Sequence, residues 1–75
     1  IDSIMAWRQS LQRTVALAVA CGHLQPVTEP DQMVFEIFGI LAGYLCDAHR
    51  VQDPKGPARA RAAYQRLLAS YRCAP

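Results

Sequence analysis

The chain has 75 residues (8.3 kDa), 52% of them apolar and 19% charged, with four glycines and a formal net charge of +2. That leaves room for one domain and excludes a disordered tail, a collagen-like repeat or a low-complexity tract. Folding would bury about 7,500 Å², worth about 110 kcal/mol if about 60% of it is apolar, and ordering the chain at ~1.5 kcal/mol per residue costs about as much. Alone, the chain is marginal, so its core is expected to be completed from outside.

The opening Ile1-Asp2-Ser3-Ile4 carries neither the basic start nor the apolar run of a signal peptide, and reads as the interior of a longer polypeptide. From there Ile4, Trp7, Leu11, Val15 and Ala18 recur at three- and four-residue steps and predict a helix, with Arg8, Gln9, Gln12 and Arg13 opposite. It is expected to end at Cys21, because Gly22 suits a left-handed cap and Pro26 follows. Residues 23–27 form a short connection.

A second helix starts where Thr28 can cap free amides, Pro30 sits in the first turn, and Glu29 and Asp31 bring negative charge to the positive helix end. It is expected to reach about Arg50. On a 100° wheel it shows a broad apolar arc (Met33, Val34, Ile37, Phe38, Ile40, Leu41, Tyr44, Leu45, Ala48) and a narrow polar stripe (Glu36, Asp47, Arg50). Between them runs a strip of mostly small residues: Phe35, Gly39, Ala42, Gly43 and Cys46. Such a helix needs cover on two sides. After a turn at residues 53–57, a third helix beginning near Pro57 or Ala58 aligns Ala60, Ala63, Tyr64, Leu67, Leu68 and Tyr71, with Arg59, Arg61, Gln65, Arg66 and Arg72 elsewhere.

The fold class is therefore all-α: three antiparallel helices in a single helical domain over residues 1–75. Gly39 and Gly43 lie four apart on one side of the second helix, and each costs ~1 kcal/mol relative to alanine. Close approach of another helix explains them, most simply from a second copy that completes a four-helix bundle. The alternative is that they accommodate Trp7 or Tyr64 of the same chain.

Other chemistry is sparse. The longest apolar stretch, residues 37–46, is half the length of a membrane span. Cys21, Cys46 and Cys73 are widely spaced with no CxxC pair, which argues against a disulfide framework and for a reducing, cytoplasmic setting. His23 and His49 have no zinc-site spacing, and neither a catalytic triad context nor a phosphate loop is present, so no metal, cofactor or enzymatic activity is expected. Residues 1–52 carry three arginines against five acids (−2), and residues 53–75 five basic residues against one acid (+4). The third-helix arginines do not form one stripe; they are expected to be solvated or paired with acids of the second helix, not bound to DNA.

One family fits this pattern. A tryptophan-bearing helix ending Ala20-Cys21-Gly22-His23-Leu24, then Glu29-Pro30-Asp31-Gln32 opening a helix with Phe35-Glu36, Gly39 and Gly43, then an Ala/Arg helix ending Leu67-Leu68, resembles the C-terminal regulatory domain of TetR-type bacterial transcriptional repressors. The resemblance implies a homodimer whose seam includes Phe38, Gly39, Ala42, Gly43 and Cys46 with Ala60, Tyr64, Leu67 and Tyr71. It also implies a small apolar effector held by Trp7, Leu11, Met33, Ile37 and Ile40, which would tilt a DNA-binding module by shifting packed helices. Operator DNA would be bound only through an N-terminal helix-turn-helix missing from these residues. A small homodimeric interaction module without ligand is the alternative function.

Overall fold

The computed structural model describes residues 2–73; Ile1, Ala74 and Pro75 lie outside it, and with Ile1 the reading of how the chain opens. Three helices follow in order: α1 (Asp2–Ala20), α2 (Pro30–Cys46) and α3 (Gly56–Tyr71), with a single π turn, Asp47–Val51, extending α2. Among the described residues there is no strand; Leu24 and Arg72 form one antiparallel backbone bridge. The all-α expectation holds.

α1 stops as its sequence foretells. Gly22 adopts φ +82°, the His23 N–H reaches the Ala18 carbonyl at 2.9 Å and the Gly22 N–H reaches Val19 at 3.1 Å. This double closure satisfies carbonyls that the helix end would leave unpaired. α2 differs in its start. Its N-cap is Glu29, which makes no side-chain cap bond, and Pro30 opens the first turn. Thr28 is instead buried, with an Oγ1 that has no hydrogen-bond partner among the described residues. Among the described residues its hydroxyl caps nothing. At the far end the helical path runs on to Val51, as expected to within a residue, and closes with Gln52 in the left-handed region (φ 59°).

α3 begins at Gly56, one residue before the earliest position the sequence suggested. The Asp53 carboxylate organises this start, accepting the Lys55 N–H at 2.9 Å and pairing with the Arg59 guanidinium. That ion pair is local to the turn; among the described residues no arginine of α3 pairs with an acid of α2. Gly56 is buried against the Asp47 side chain, where a Cβ would collide with the carboxylate.

α2 is the middle element, and α1 and α3 lie against it while scarcely touching each other. The molecule is a flattened slab whose principal extents are 39 × 34 × 13 Å. Its buried core is small and lies at one end: Val15, Leu24, Met33 and Val34, with Leu11, Ala18, Val19, Ile37, Phe38, Leu68 and Tyr71 packed around it. The same end is tied by polar groups. The Gln25 N–H donates to the Tyr71 carbonyl at 2.9 Å, and its side-chain amide donates to the Ser70 and Arg72 carbonyls. The carbonyls that end α3 thus find donors in the α1–α2 connection.

The slab leaves much surface in water. A compact monomer of 8.3 kDa exposes about 4,600 Å², whereas this chain exposes 5696 Å², roughly 1,100 Å² more.

Candidate functional site

Because α2 is flanked edge-on by α1 and α3, both of its remaining sides stay open. The consequence is sharpest over residues 42–46, where Ala42, Gly43, Tyr44, Leu45 and Cys46 are all exposed. A helix segment apolar around its whole circumference is normally buried. These two open sides make the candidate site.

One side carries the small residues. A Cβ built on Gly39 or on Gly43 meets no atom within 4 Å, so neither Trp7 nor Tyr64 packs against them. The glycines line a shallow groove of about 300 Å³ that α3 borders with Arg59, Ala60 and Ala63. Ala42, Cys46 and Phe35 (64% exposed) are uncovered as well. Among the described residues no contact repays the helix propensity lost at these glycines.

The other side is aromatic. Trp7 from α1, Ile37, Ile40, Leu41 and Tyr44 from α2, and Pro57, Ala60, Arg61 and Tyr64 from α3 line an open groove of about 500 Å³. Trp7 is fixed by Phe38, the two rings meeting edge to face with centroids 4.9 Å apart, and Arg8 lies 5.7 Å from the Phe38 ring centre. Such contacts contribute roughly 0.5–1.5 kcal/mol beyond area burial and hold the indole at the groove's edge. Ile4, Trp7, Phe38, Leu41, Ala42 and Leu45 enclose a smaller depression beside it.

The titratable groups whose values shift, Glu36, Tyr71 and Asp53, line neither groove. The Tyr71 hydroxyl donates to Glu36 Oε1 at 2.6 Å and the Gln32 amide donates to Oε2 at 3.1 Å. These bonds hold the Glu36 carboxyl below its usual range, while the Glu36 acceptor pushes the Tyr71 hydroxyl up to about 12. At the α3 corner the Lys55 N–H, and after it the Arg59 guanidinium, lower the Asp53 carboxyl. Among the described residues no three His, Cys, Asp or Glu side chains gather as metal ligands, and no helix is long and apolar enough to cross a membrane.

The family model for the tetracyclin repressor-like C-terminal domain matches residues 2–64 of the chain. The chain belongs to this family. No curated protein and no solved structure matches it. As a TetR-like C-terminal domain it has a regulatory role in a TetR-family regulator of transcription, a class of proteins that are not enzymes.

In this TetR-like domain the residues singled out from sequence fall into three places. Trp7, Ile37 and Ile40 share the aromatic groove, whereas Met33 is 3% exposed in the core and Leu11 packs beside it; neither lines the groove. Gly39, Ala42, Gly43 and Cys46 are together on the small-residue side. Of the residues named with them from α3, only Ala60 reaches that side. Tyr64 lines the aromatic groove, Ala60 borders both grooves, and Tyr71 is bonded to Glu36. Phe38 is held by Trp7, and Leu67 is half-buried with its carbonyl accepting the Ser70 hydroxyl. Sequence reasoning passed over Tyr44, Leu41 and Arg61 as groove residues. Tyr44 had a usable signal, since it follows Ile37 and Ile40 at helical spacing on the same arc. Arg61 had none, because only the crossing of α3 over α2 brings it there.

Proposed function

We propose that this domain dimerises through the small-residue side of α2 and senses a small, largely apolar effector in the adjoining aromatic groove. The observation that carries the reading is the exposed apolar end of α2, with glycines that face open space. A second copy supplies the missing cover: α2 and α3 packed on their mates form a four-helix bundle in which Gly39 and Gly43 let two backbones approach closely. The uncovered excess of roughly 1,100 Å² per chain exceeds the roughly 800 Å² that each partner contributes to a standard interface. The groove's volume of about 500 Å³ lies inside the roughly 300–1,000 Å³ of small-molecule sites, and its lining is mainly apolar as theirs is.

In this reading the tied end of the slab, where Gln25 meets the end of α3 and Tyr71 meets Glu36, stays fixed. The open end between Trp7 and Tyr64 responds when an effector enters, and the shift passes to the bundle through α2. Operator binding belongs to a helix-turn-helix outside these 75 residues.

Sedimentation velocity of the purified chain over 1–100 μM tests the association. A concentration-dependent dimer is expected, and a monomer throughout that range overturns the dimer. A dimer that takes up no apolar probe leaves an interaction module without a sensor.

A further inference from the structure

The aromatic groove has a chemical bias that its apolar lining conceals. Its polar side-chain groups are the Arg61 guanidinium, the Trp7 indole N–H and the Tyr44 and Tyr64 hydroxyls; among the described residues no Asp, Glu, Asn or Gln side chain lines it. Guanidinium and indole can only donate hydrogen bonds, and phenols donate readily. Among the described residues none of the four has a hydrogen-bond partner, and Arg61 has no carboxylate within ion-pair distance. Arg59, two positions earlier on the same helix, shows the contrast: its charge is taken up by Asp53. Donors without acceptors, beside an aliphatic and aromatic wall, complement a ligand with an apolar body and a negatively charged acceptor end.

We propose that the effector is an amphiphilic organic acid, its hydrocarbon or aromatic part against Ile37 and Ile40 and its carboxylate toward Arg61. This rests on the sensing role proposed above and narrows it. Planar guanidinium and carboxylate meet through two parallel hydrogen bonds, which a neutral or cationic ligand of the same shape cannot form. Arg61 thereby selects by charge while the aromatic wall supplies most of the affinity.

The chain contains one tryptophan, at the groove, so Trp7 fluorescence reports occupancy directly. The experiment titrates the purified chain with 4-phenylbutyrate, 4-phenylbutan-1-ol and 4-phenylbutylamine, probes alike in body and different in charge. The carboxylate is expected to bind about tenfold more tightly than the alcohol and more tightly still than the amine. The preference should shrink with added salt, because Arg61 is exposed and its field is screened. Arg61→Gln, with helicity checked by circular dichroism, is expected to bring carboxylate and alcohol to equal affinity, and Arg61→Lys to restore part of the difference. Equal affinity of all three probes for the wild-type chain overturns the acid selectivity and leaves sensing intact. A preference for the amine, or one that survives Arg61→Gln, overturns it as well. Failure of all three to bind at millimolar concentration overturns the sensing role itself.

Discussion

Alanine at Gly39 and Gly43 acts in opposite directions on the protomer and on its association, and the open geometry sets both signs. Each position is helical and a Cβ there has no atom within 4 Å, so the methyl groups are free of strain within the chain. Each substitution then recovers ~0.8–1.0 kcal/mol of helix propensity. The pair stabilises an isolated protomer by about 2 kcal/mol, an expected rise in Tm of about 8–16 °C for a domain of this size. At a seam where two glycine strips meet, the same methyls occur on both copies and hold the backbones apart. Overpacking of this kind costs about 1–3 kcal/mol per site; a net loss of about 3 kcal/mol weakens the dimer roughly a hundredfold. The assay is thermal unfolding at submicromolar and at 100 μM protein, with sedimentation equilibrium for Kd. The double variant is expected to be the more stable protein at the low concentration and the weaker dimer at the high one. A higher Tm with an unchanged Kd would remove the glycine strip from the interface. A lower Tm at high dilution would contradict the open space around these glycines.

Three further outcomes follow from the packing. Thr28→Val replaces a buried, unpartnered hydroxyl by a methyl of like shape and is expected to stabilise by about 1 kcal/mol in urea unfolding; a loss of stability means Oγ1 has a partner. Val34→Ala removes two methyl groups from a fully buried core side chain, at an expected cost of about 2–3 kcal/mol, and a cost below about 0.5 kcal/mol would show that the core collapses to fill the gap. Tyr71→Phe removes the donor to Glu36 and, with both groups half-buried, is expected to cost about 1 kcal/mol at neutral pH. Its pH dependence has a fixed sign at each end. The raised Tyr71 value stabilises fully below its ordinary 10 and is lost as pH climbs through about 12. The lowered Glu36 value stabilises above its ordinary 4.5 and is lost as pH falls through the lower folded value. Stability curves of wild type and Tyr71→Phe measured from pH 3 to 12 should therefore converge at both extremes, and parallel curves would rule out the bond as the source.

Helix identity was legible in the sequence because its determinants are local. The steps from Ile4 to Ala18, the Gly22 cap, the Pro30 start and the small strip of α2 depend on neighbours within one or two turns, and each appears in the structure near its expected place. The capping role expected of Thr28 failed because the N-cap position falls one residue later, at Glu29, and Thr28 is buried with its Oγ1 unpartnered among the described residues. The ends of the arginine side chains were equally out of reach, since Arg59 turned to Asp53 in the corner and not to an acid of α2.

What the sequence alone determined is that α2 needs cover on two sides, since its apolar arc and its small strip are set by composition and helical period. Which residues meet on each side was decided by tertiary packing. The antiparallel layer sends Met33 into the core and Trp7 to the groove, and separates Tyr64 from the glycine strip with which the family resemblance had joined it. Helical period fixes only the angle of a side chain around its own axis. Whether that direction ends in core, groove or open water depends on where the neighbouring helices cross, and in a slab this flat many directions end in water.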